Sequence, residues 1–347
     1  MKKLFYVLTL TFAVALSAAT SSGTQTRRNR ATTAAPPANA QATTRVLASL
    51  PASDAVMVVD VRRLLSEALP RAFNNDAAEL ARVNSEIDKF KAETGLDARL
   101  FERVAVGVSY QQTPTGSTLV ETVAIARGTF KPGALAAAPA AAAAVASGNQ
   151  MRVQKYAGKS IYVYNVNSQV KLLGLFNLRV SDVAVSVLDA NTVAIGKLER
   201  VRAAIDANAG RGRVSPEIAT LATRDANAII GMGGDVPASL TQKLDIGNIS
   251  KSIAAVRQFY STLGTTAGGF NLLTALRTDN AGAAKSLSST LTGLKQLAPF
   301  AIGQMTPARA RPLQSLVENT KVNAEGNDVL ITLELAQVDV AALIASF

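Results

Sequence analysis

Residues 55–61, Ala-Val-Met-Val-Val-Asp-Val, form the stretch that decides the fold of this chain. Apolar side chains follow one another without a break up to Asp60, and Asp54 stands just before the run. A short uninterrupted apolar run between polar residues is typical of a buried β-strand. We therefore place a buried first strand here and work outward from it.

Two helices are predicted directly after this strand, over 62–73 and 77–94. In the second, apolar residues recur at intervals of three and four, which places them on one helix face. They are Leu80, Val83, Ile87 and Phe90. Gly95 then follows as a C-terminal stop.

Hairpins dominate the remainder of the first half. The sequence predicts one from 103–111 and 118–130, a second from 151–156 and 160–166, and a third from 183–188 and 192–196. A weak Ala-rich helix is expected over 134–147 and a short helix over 198–207. Strands joined by local turns pair antiparallel.

The second half begins as the first does, because residues 225–233 repeat the pattern of an Asp followed by an apolar strand. Segments 252–265 and 268–278 are predicted to be paired strands, although a helical period also fits 252–278. A helix over 281–298, a hairpin from 321–324 and 329–335, and a closing helix over 338–346 follow. The predicted fold class is α+β: mainly antiparallel sheets built from hairpins, helices packed on one side, and a duplicated unit.

Four segments are expected along the 347 residues. Residues 1–19 have the basic start, apolar run and small residues of a signal peptide, with an uncleaved membrane anchor as the alternative. Residues 20–44 have the composition of a disordered linker rich in Ala, Thr, Pro and Arg. The first α+β unit is placed at 45–213 and the second at 214–347.

Composition excludes many kinds of site. The chain has no Cys, His or Trp, which removes disulfides, thiolate nucleophiles, imidazole acid–base chemistry and Cys/His zinc sites. The formal net charge is +11, and part of the excess stands in the signal segment and the linker. We therefore expect no catalytic, cofactor-binding or metal-binding residues, and no cofactor.

Two short motifs have functional interpretations that we set aside. Ser168 and Lys171 match the S-x-x-K pattern of penicillin-recognising enzymes, but the companion motifs are missing. The glycines at 231, 233 and 234 follow an apolar strand as in a dinucleotide-binding loop, but position 236 is Val. A polar connector and a tight turn are the preferred interpretations.

Paired carboxylates are the remaining enzymatic hypothesis. Asp60 and Asp235 close the first strands of the two halves, and Asp54 and Asp225 precede the same strands. Two convergent carboxylates can hydrolyse glycosides or hold a metal ion. A calcium loop starting at Asp189 is excluded, because its twelfth position is an arginine.

Two binding surfaces are also conceivable. Arginines 27, 28, 30 and 45 give the N-terminal tail a basic character suited to weak contact with anionic surfaces. Tyr156, Tyr162 and Tyr164 could stack on a sugar or peptide, although strand tyrosines usually pack in a core. No nucleic-acid partner is expected.

The run Leu50-Pro51-Ala52-Ser53-Asp54-Ala55, with 189–196 and Val201-Arg-Ala-Ala-Ile-Asp206 further on, resembles exported bacterial proteins of unknown function with an LPxD-type start to the mature domain. The resemblance implies export and an α+β repeat, and it implies no catalytic residue.

These observations favour a non-enzymatic exported protein, located in the periplasm or outside the cell. It would serve as a binding or scaffolding module for an unknown cell-envelope partner. The alternative is a cell-envelope hydrolase that uses the carboxylates.

Overall fold

The computed structural model describes residues 38–73, 76–94, 97–112, 118–131, 133, 151–172, 176–237, 252–304 and 307–345. The predicted signal peptide, most of the linker and the Ala-rich segment 134–147 lie outside these residues. The resemblance to exported proteins therefore stays a prediction.

Twelve strands form one sheet in the described part of the chain. Their bounds are β1 Ala55–Asp60, β2 Phe101–Gln112, β3 Thr118–Gly128, β4 Met151–Tyr156, β5 Lys159–Leu172, β6 Phe176–Asp189, β7 Thr192–Gly196, β8 Ile230–Asp235, β9 Val256–Thr265, β10 Gly269–Thr278, β11 Thr320–Glu325 and β12 Asp328–Ala336. Every pairing between neighbours is antiparallel. The predicted α+β class is confirmed, and the segment 252–278 contains strands β9 and β10 rather than one helix.

The helices are α1 Ala38–Ala48, α2 over 61–72, α3 Ala77–Thr94, α4 Leu198–Asn208, α5 Pro216–Ala222, α6 Ala281–Ile302, α7 Pro307–Asn319 and α8 Gln337–Ala345. Helix α2 includes a π-helical turn, Leu64–Ala68, and Ala98–Leu100 is a 3-10 turn before β2. Because α1 begins at Ala38, residues 38–44 are helical and the prediction of a disordered linker is wrong for them. Val46 and Leu50 are fully buried, so α1 and the turn after it are held by the core.

The strand order is β11-β12-β10-β9-β8-β1-β2-β3-β7-β6-β5-β4. Strands β1 and β8 pair at the junction of the two halves. Outward from β8, the five strands of the second half follow in the order first, second, third, fifth, fourth. The first half has the same order outward from β1 when β4 and β5, at the far end of the sheet, are counted as an addition. The two predicted units therefore share one sheet. This common order agrees with the predicted duplication, which stays a prediction.

Strand β1 separates two hydrophobic cores. Val56 and Val58 point to the front face, where α1, α4 and α5 pack, and Met57 and Val59 point to the back face, where α2, α3 and α8 pack. Helix α6 covers the back face of β10, β11 and β12. The expectation of helices on one side is wrong, because a strand that is apolar at consecutive positions has two faces to cover.

Candidate functional site

Asp60 and Asp235 lie at opposite ends of two neighbouring central strands, β1 and β8. Each aspartate ends its strand, but β1 and β8 run antiparallel. Asp235 therefore lies beside Asp54, and the backbone N–H of Asp235 donates a hydrogen bond to the carbonyl of Asp54. Six residues of extended chain, roughly 20 Å, separate Asp54 from Asp60. The two carboxylates are too far apart to act together, so the prediction of a catalytic pair is wrong. The hydrolase alternative no longer has its two candidate carboxylates.

Asp60 has a structural environment instead. Its Oδ2 lies 2.7 Å from Nη1 of Arg103, and both side chains are buried. Its Oδ1 accepts the backbone N–H of Arg63 and so caps α2. Burial lowers the pKa of Arg103, which Asp60 partly offsets. This pair fastens β1 to β2 and the start of α2.

The other carboxylates of the hypothesis also bind the backbone or a neighbouring amide. Asp54 Oδ2 accepts the N–H of Tyr110, and Asp235 Oδ1 accepts Nε2 of Gln258. Asp225 Oδ1 accepts the N–H of Asn227 in the turn before β8. These are the usual roles of carboxylates at strand ends.

Neither short motif forms its functional geometry. Ser168 and Lys171 both lie in strand β5, whereas S-x-x-K chemistry needs one helical turn between serine and lysine. The three glycines lie inside β8, not in a turn before a helix. An added Cβ at Gly231 would stand 2.1 Å from the Ala222 carbonyl oxygen, so the glycine permits close contact with α5.

The turn between β6 and β7 has no metal-binding geometry. Asp189 Oδ1 accepts the N–H of Asn191, and Asn191 Nδ2 donates to the carbonyl of Gly128. Arg200 lies on α4, where its Nη2 donates to the carbonyl of Ala52. Across the described ranges, no group of three or more acidic side chains converges in a way that could hold a metal ion.

The tyrosines do not form one stacking surface. Tyr156 donates to Asp206 Oδ2 at 2.7 Å and packs against the front core, and this bond lowers the pKa of Asp206. Tyr162 pairs with Val153, three residues from Tyr156 along β4, and so lies on the other face of the sheet. Tyr164 pairs with Met151 further along the hairpin.

A surface that the sequence analysis missed lies on α6. The first turns of this helix pack tightly, since Ala284 and Leu287 are fully buried. Towards its C-terminus, 61% of Leu297 and 76% of Phe300 are exposed, and Leu294 is 39% exposed. Large apolar side chains this exposed and this close together on one helix mark an interaction surface.

The spacing of the leucines explains the change from buried to exposed. Leu287 and Leu291 are four apart, whereas Leu294, Leu297 and Phe300 follow at intervals of three. Three residues turn an α-helix through only about 300°, so each such step lags the full turn by about 60°. The apolar stripe therefore winds away from the core and reaches solvent in the last two turns.

Helix α6 carries basic and uncharged polar side chains but no acidic one. Two of its hydroxyls bond the helix's own carbonyls: Thr290 Oγ1 donates to Ser286 and Thr292 Oγ1 to Ser288. No acidic residue occurs from 281 to 317, while four basic residues do: Lys285, Lys295, Arg309 and Arg311. We name residues 294, 297 and 300 the α6 stripe. The sequence signal that could have revealed it is this absence of acidic residues beside an apolar helix.

Within the ranges that the structure describes, no helix is both long enough and apolar enough to cross a membrane.

No protein-family model matches the sequence, and no curated protein is significantly similar to it. Among solved structures, crystal form III of TP0453 has a TM-score of 0.45 and 12% identity, covering 87% of this chain and 98% of that one. Crystal form I of TP0453 has a TM-score of 0.43 and 10% identity, covering 87% and 96%. Similarity at this level carries no ligand or activity across.

Proposed function

We propose that this chain is a non-enzymatic exported protein of the cell envelope that binds the surface of an anionic lipid membrane through the α6 stripe. The observation that carries the proposal is the exposure of Leu297 and Phe300 on a helix that contains basic but no acidic residues. Apolar side chains with Lys and Arg nearby are the composition of helices that lie in a membrane interface. Export is supported by the signal-like residues 1–19.

The energies of such contact are sufficient for reversible binding. Inserting a Leu or Phe side chain contributes about 1.5–3 kcal/mol each. Each basic residue near an anionic surface adds about 1 kcal/mol, and salt screens that part. Binding should therefore weaken with ionic strength without being abolished, because the apolar part is independent of salt.

Replacing both Leu297 and Phe300 by serine should reduce partitioning onto vesicles at least about tenfold, since most of the inserted apolar area is lost. The measurement is cosedimentation with vesicles of phosphatidylglycerol and phosphatidylcholine, using chains that begin at Thr20, the predicted mature start. The apolar run of the signal segment is then absent and cannot bind the vesicles in place of the α6 stripe.

The matched control replaces Leu100 and Val153, two exposed apolar residues elsewhere, by serine. Equal partitioning of the α6 variant and the control variant would contradict the proposal. The proposal would also be contradicted if, without lipid, sedimentation velocity showed the wild type and the control variant as dimers and the α6 variant as a monomer. The α6 stripe would then bind a second copy of the chain.

Export has its own test. Material recovered from outside the cytoplasm should begin at or just after Thr20 when its N-terminus is sequenced, because the small residues before it suit signal peptidase. Recovery of the chain with Met1 intact in the cytosol would contradict export.

A further inference from the structure

A row of polar residues crosses the front face at one end of five adjacent strands, β1, β2, β3, β7 and β6. Asp60 pairs with Arg103, and Arg103 stands directly opposite Arg127 on β3. Arg127 is opposite Thr192 on β7, and Thr192 is opposite Asp189 on β6. Two arginines are therefore neighbours: Arg103 has a carboxylate at 2.7 Å, whereas the ion pair of Arg127 with Asp189 is longer, at 3.7 Å.

The second half has a row at the corresponding register positions. Asp235 is opposite Gln258, Gln258 is opposite Arg277, and Arg277 is opposite Asp328, which faces Glu325. Here the arginine of the third strand is fully paired. Arg277 Nε donates to Asp328 Oδ1 at 2.9 Å and Nη2 to Oδ2 at 3.3 Å, the bidentate geometry of a strong charge-assisted pair.

Arg127 lacks the partner that Arg277 has. Thr192 occupies the position of Asp328, and its hydroxyl accepts one hydrogen bond from Arg127 Nη1 at 2.9 Å. The nearest oxygen of Asp189 lies 3.7 Å away. A guanidinium has five N–H donors, and the structure records one hydrogen bond for Arg127, whose side chain is 14% exposed.

A pocket of about 420 Å³ opens beside Arg127. Helix α1 contributes Arg45, the β6–β7 turn contributes Asp189 and Asn191, and the end of α4 contributes Asn208. The volume falls in the range of small-molecule sites, and the lining includes two arginines and one aspartate. In the described part of the chain, no side chain is seen to pair with the guanidinium of Arg45.

We infer that this pocket binds a small organic anion through a carboxylate or phosphate group held by Arg127 and Arg45. The anionic group takes the place that the Asp328 carboxylate holds in the other half, and the amides of Asn191 and Asn208 add uncharged hydrogen bonds. The pocket lies on the front face and α6 on the back face, so the ligand comes from solution. The source of the ligand therefore rests on the proposed membrane binding, whereas the binding of an anion in the pocket does not.

The test is calorimetric titration of the full chain with citrate and with inorganic phosphate, at constant ionic strength set by chloride. Thr192→Asp supplies the missing carboxylate from within, so the affinity should fall at least about tenfold. Arg45→Gln removes an exposed guanidinium without disturbing the core and should weaken binding about three- to tenfold. Arg257→Gln, at an exposed ion pair elsewhere, should leave the affinity unchanged.

Three outcomes would overturn the inference. The first is the absence of saturable binding of either anion. The second is equal affinity of the wild type and Arg45→Gln for the anion, and this comparison can be made even if Thr192→Asp does not fold. The third is displacement of citrate by phosphatidylglycerol vesicles but not by glycerol phosphate, because the anion would then be a lipid headgroup.

Discussion

Gly231→Ala should lower the free energy of unfolding by about 3 kcal/mol, near the upper end of what overpacking costs. The new methyl would lie 2.1 Å from the Ala222 carbonyl oxygen, and backbone cannot move aside as a flexible side chain can. Gly233 is just as restricted, because its Cβ would stand 2.4 Å from that of Leu221. Relief would require lifting α5 off the sheet and exposing Ile218 and Leu221, which are now buried.

Urea unfolding of Gly231→Ala and Gly293→Ala gives the matched comparison. Gly293 lies in α6 with no atom within 4 Å of an added Cβ, so the same change should stabilise the protein by about 0.5–1 kcal/mol through helix propensity. A Gly231→Ala protein as stable as the wild type would show that α5 does not lie against β8.

Arg103→Met should lower the free energy of unfolding by about 3–5 kcal/mol, because it leaves the buried carboxylate of Asp60 without its counter-ion. Methionine keeps most of the aliphatic length, so the change removes charge rather than volume. Asp60→Asn in the same chain removes the unpaired charge and keeps a side chain able to cap α2. The double variant should therefore recover part of the lost stability.

The control is Arg257→Met, which breaks the exposed pair with Asp279 and should cost less than about 1 kcal/mol. Thermal or urea unfolding of the four proteins measures the difference. If Arg103→Met proved no more costly than Arg257→Met, the pair would not fasten β1 to β2.

Local pattern was sufficient for much of the fold. The apolar run at 55–61 predicted a buried strand, and the structure places β1 at the junction of the sheet. The hairpins at 183–196 and 321–335 were found because each has a polar turn between β-rich runs. Helix α3 was found from its period.

Long-range and irregular features were not predicted. Strand β5 extends to residue 172 and strand β6 begins at residue 176, so both are longer than predicted. A register shift between Asn165 and Ser168 interrupts the alternation that would have revealed these extensions. Helix α5 has seven residues, too few to show a period, although Ser215 as N-cap and Pro216 in the first turn were available signals. The partner of Asp60 could not be known, since 43 residues of chain separate it from Arg103.

The candidate sites depended on packing that sequence does not show. The helix predicted over 281–298 gave no sign of which turns lie on the core, and the structure buries Ala284 and Leu287 but leaves Leu297 mostly exposed. The pocket beside Arg127 needs α1, α4 and the β6–β7 turn to meet, and these elements are far apart in the chain. Only the predicted α6 helix and the lack of acidic residues beside it pointed to the α6 stripe.

The most direct test of membrane binding through the α6 stripe is the fluorescence of Phe300→Trp, because the chain has no tryptophan of its own. On addition of phosphatidylglycerol vesicles, its emission should shift to the blue and be quenched by lipids brominated on their acyl chains. Trp at Val153, an exposed position at the opposite edge of the sheet, should show neither change. An unchanged spectrum for Trp at position 300, under conditions where the protein cosediments with the vesicles, would contradict the account.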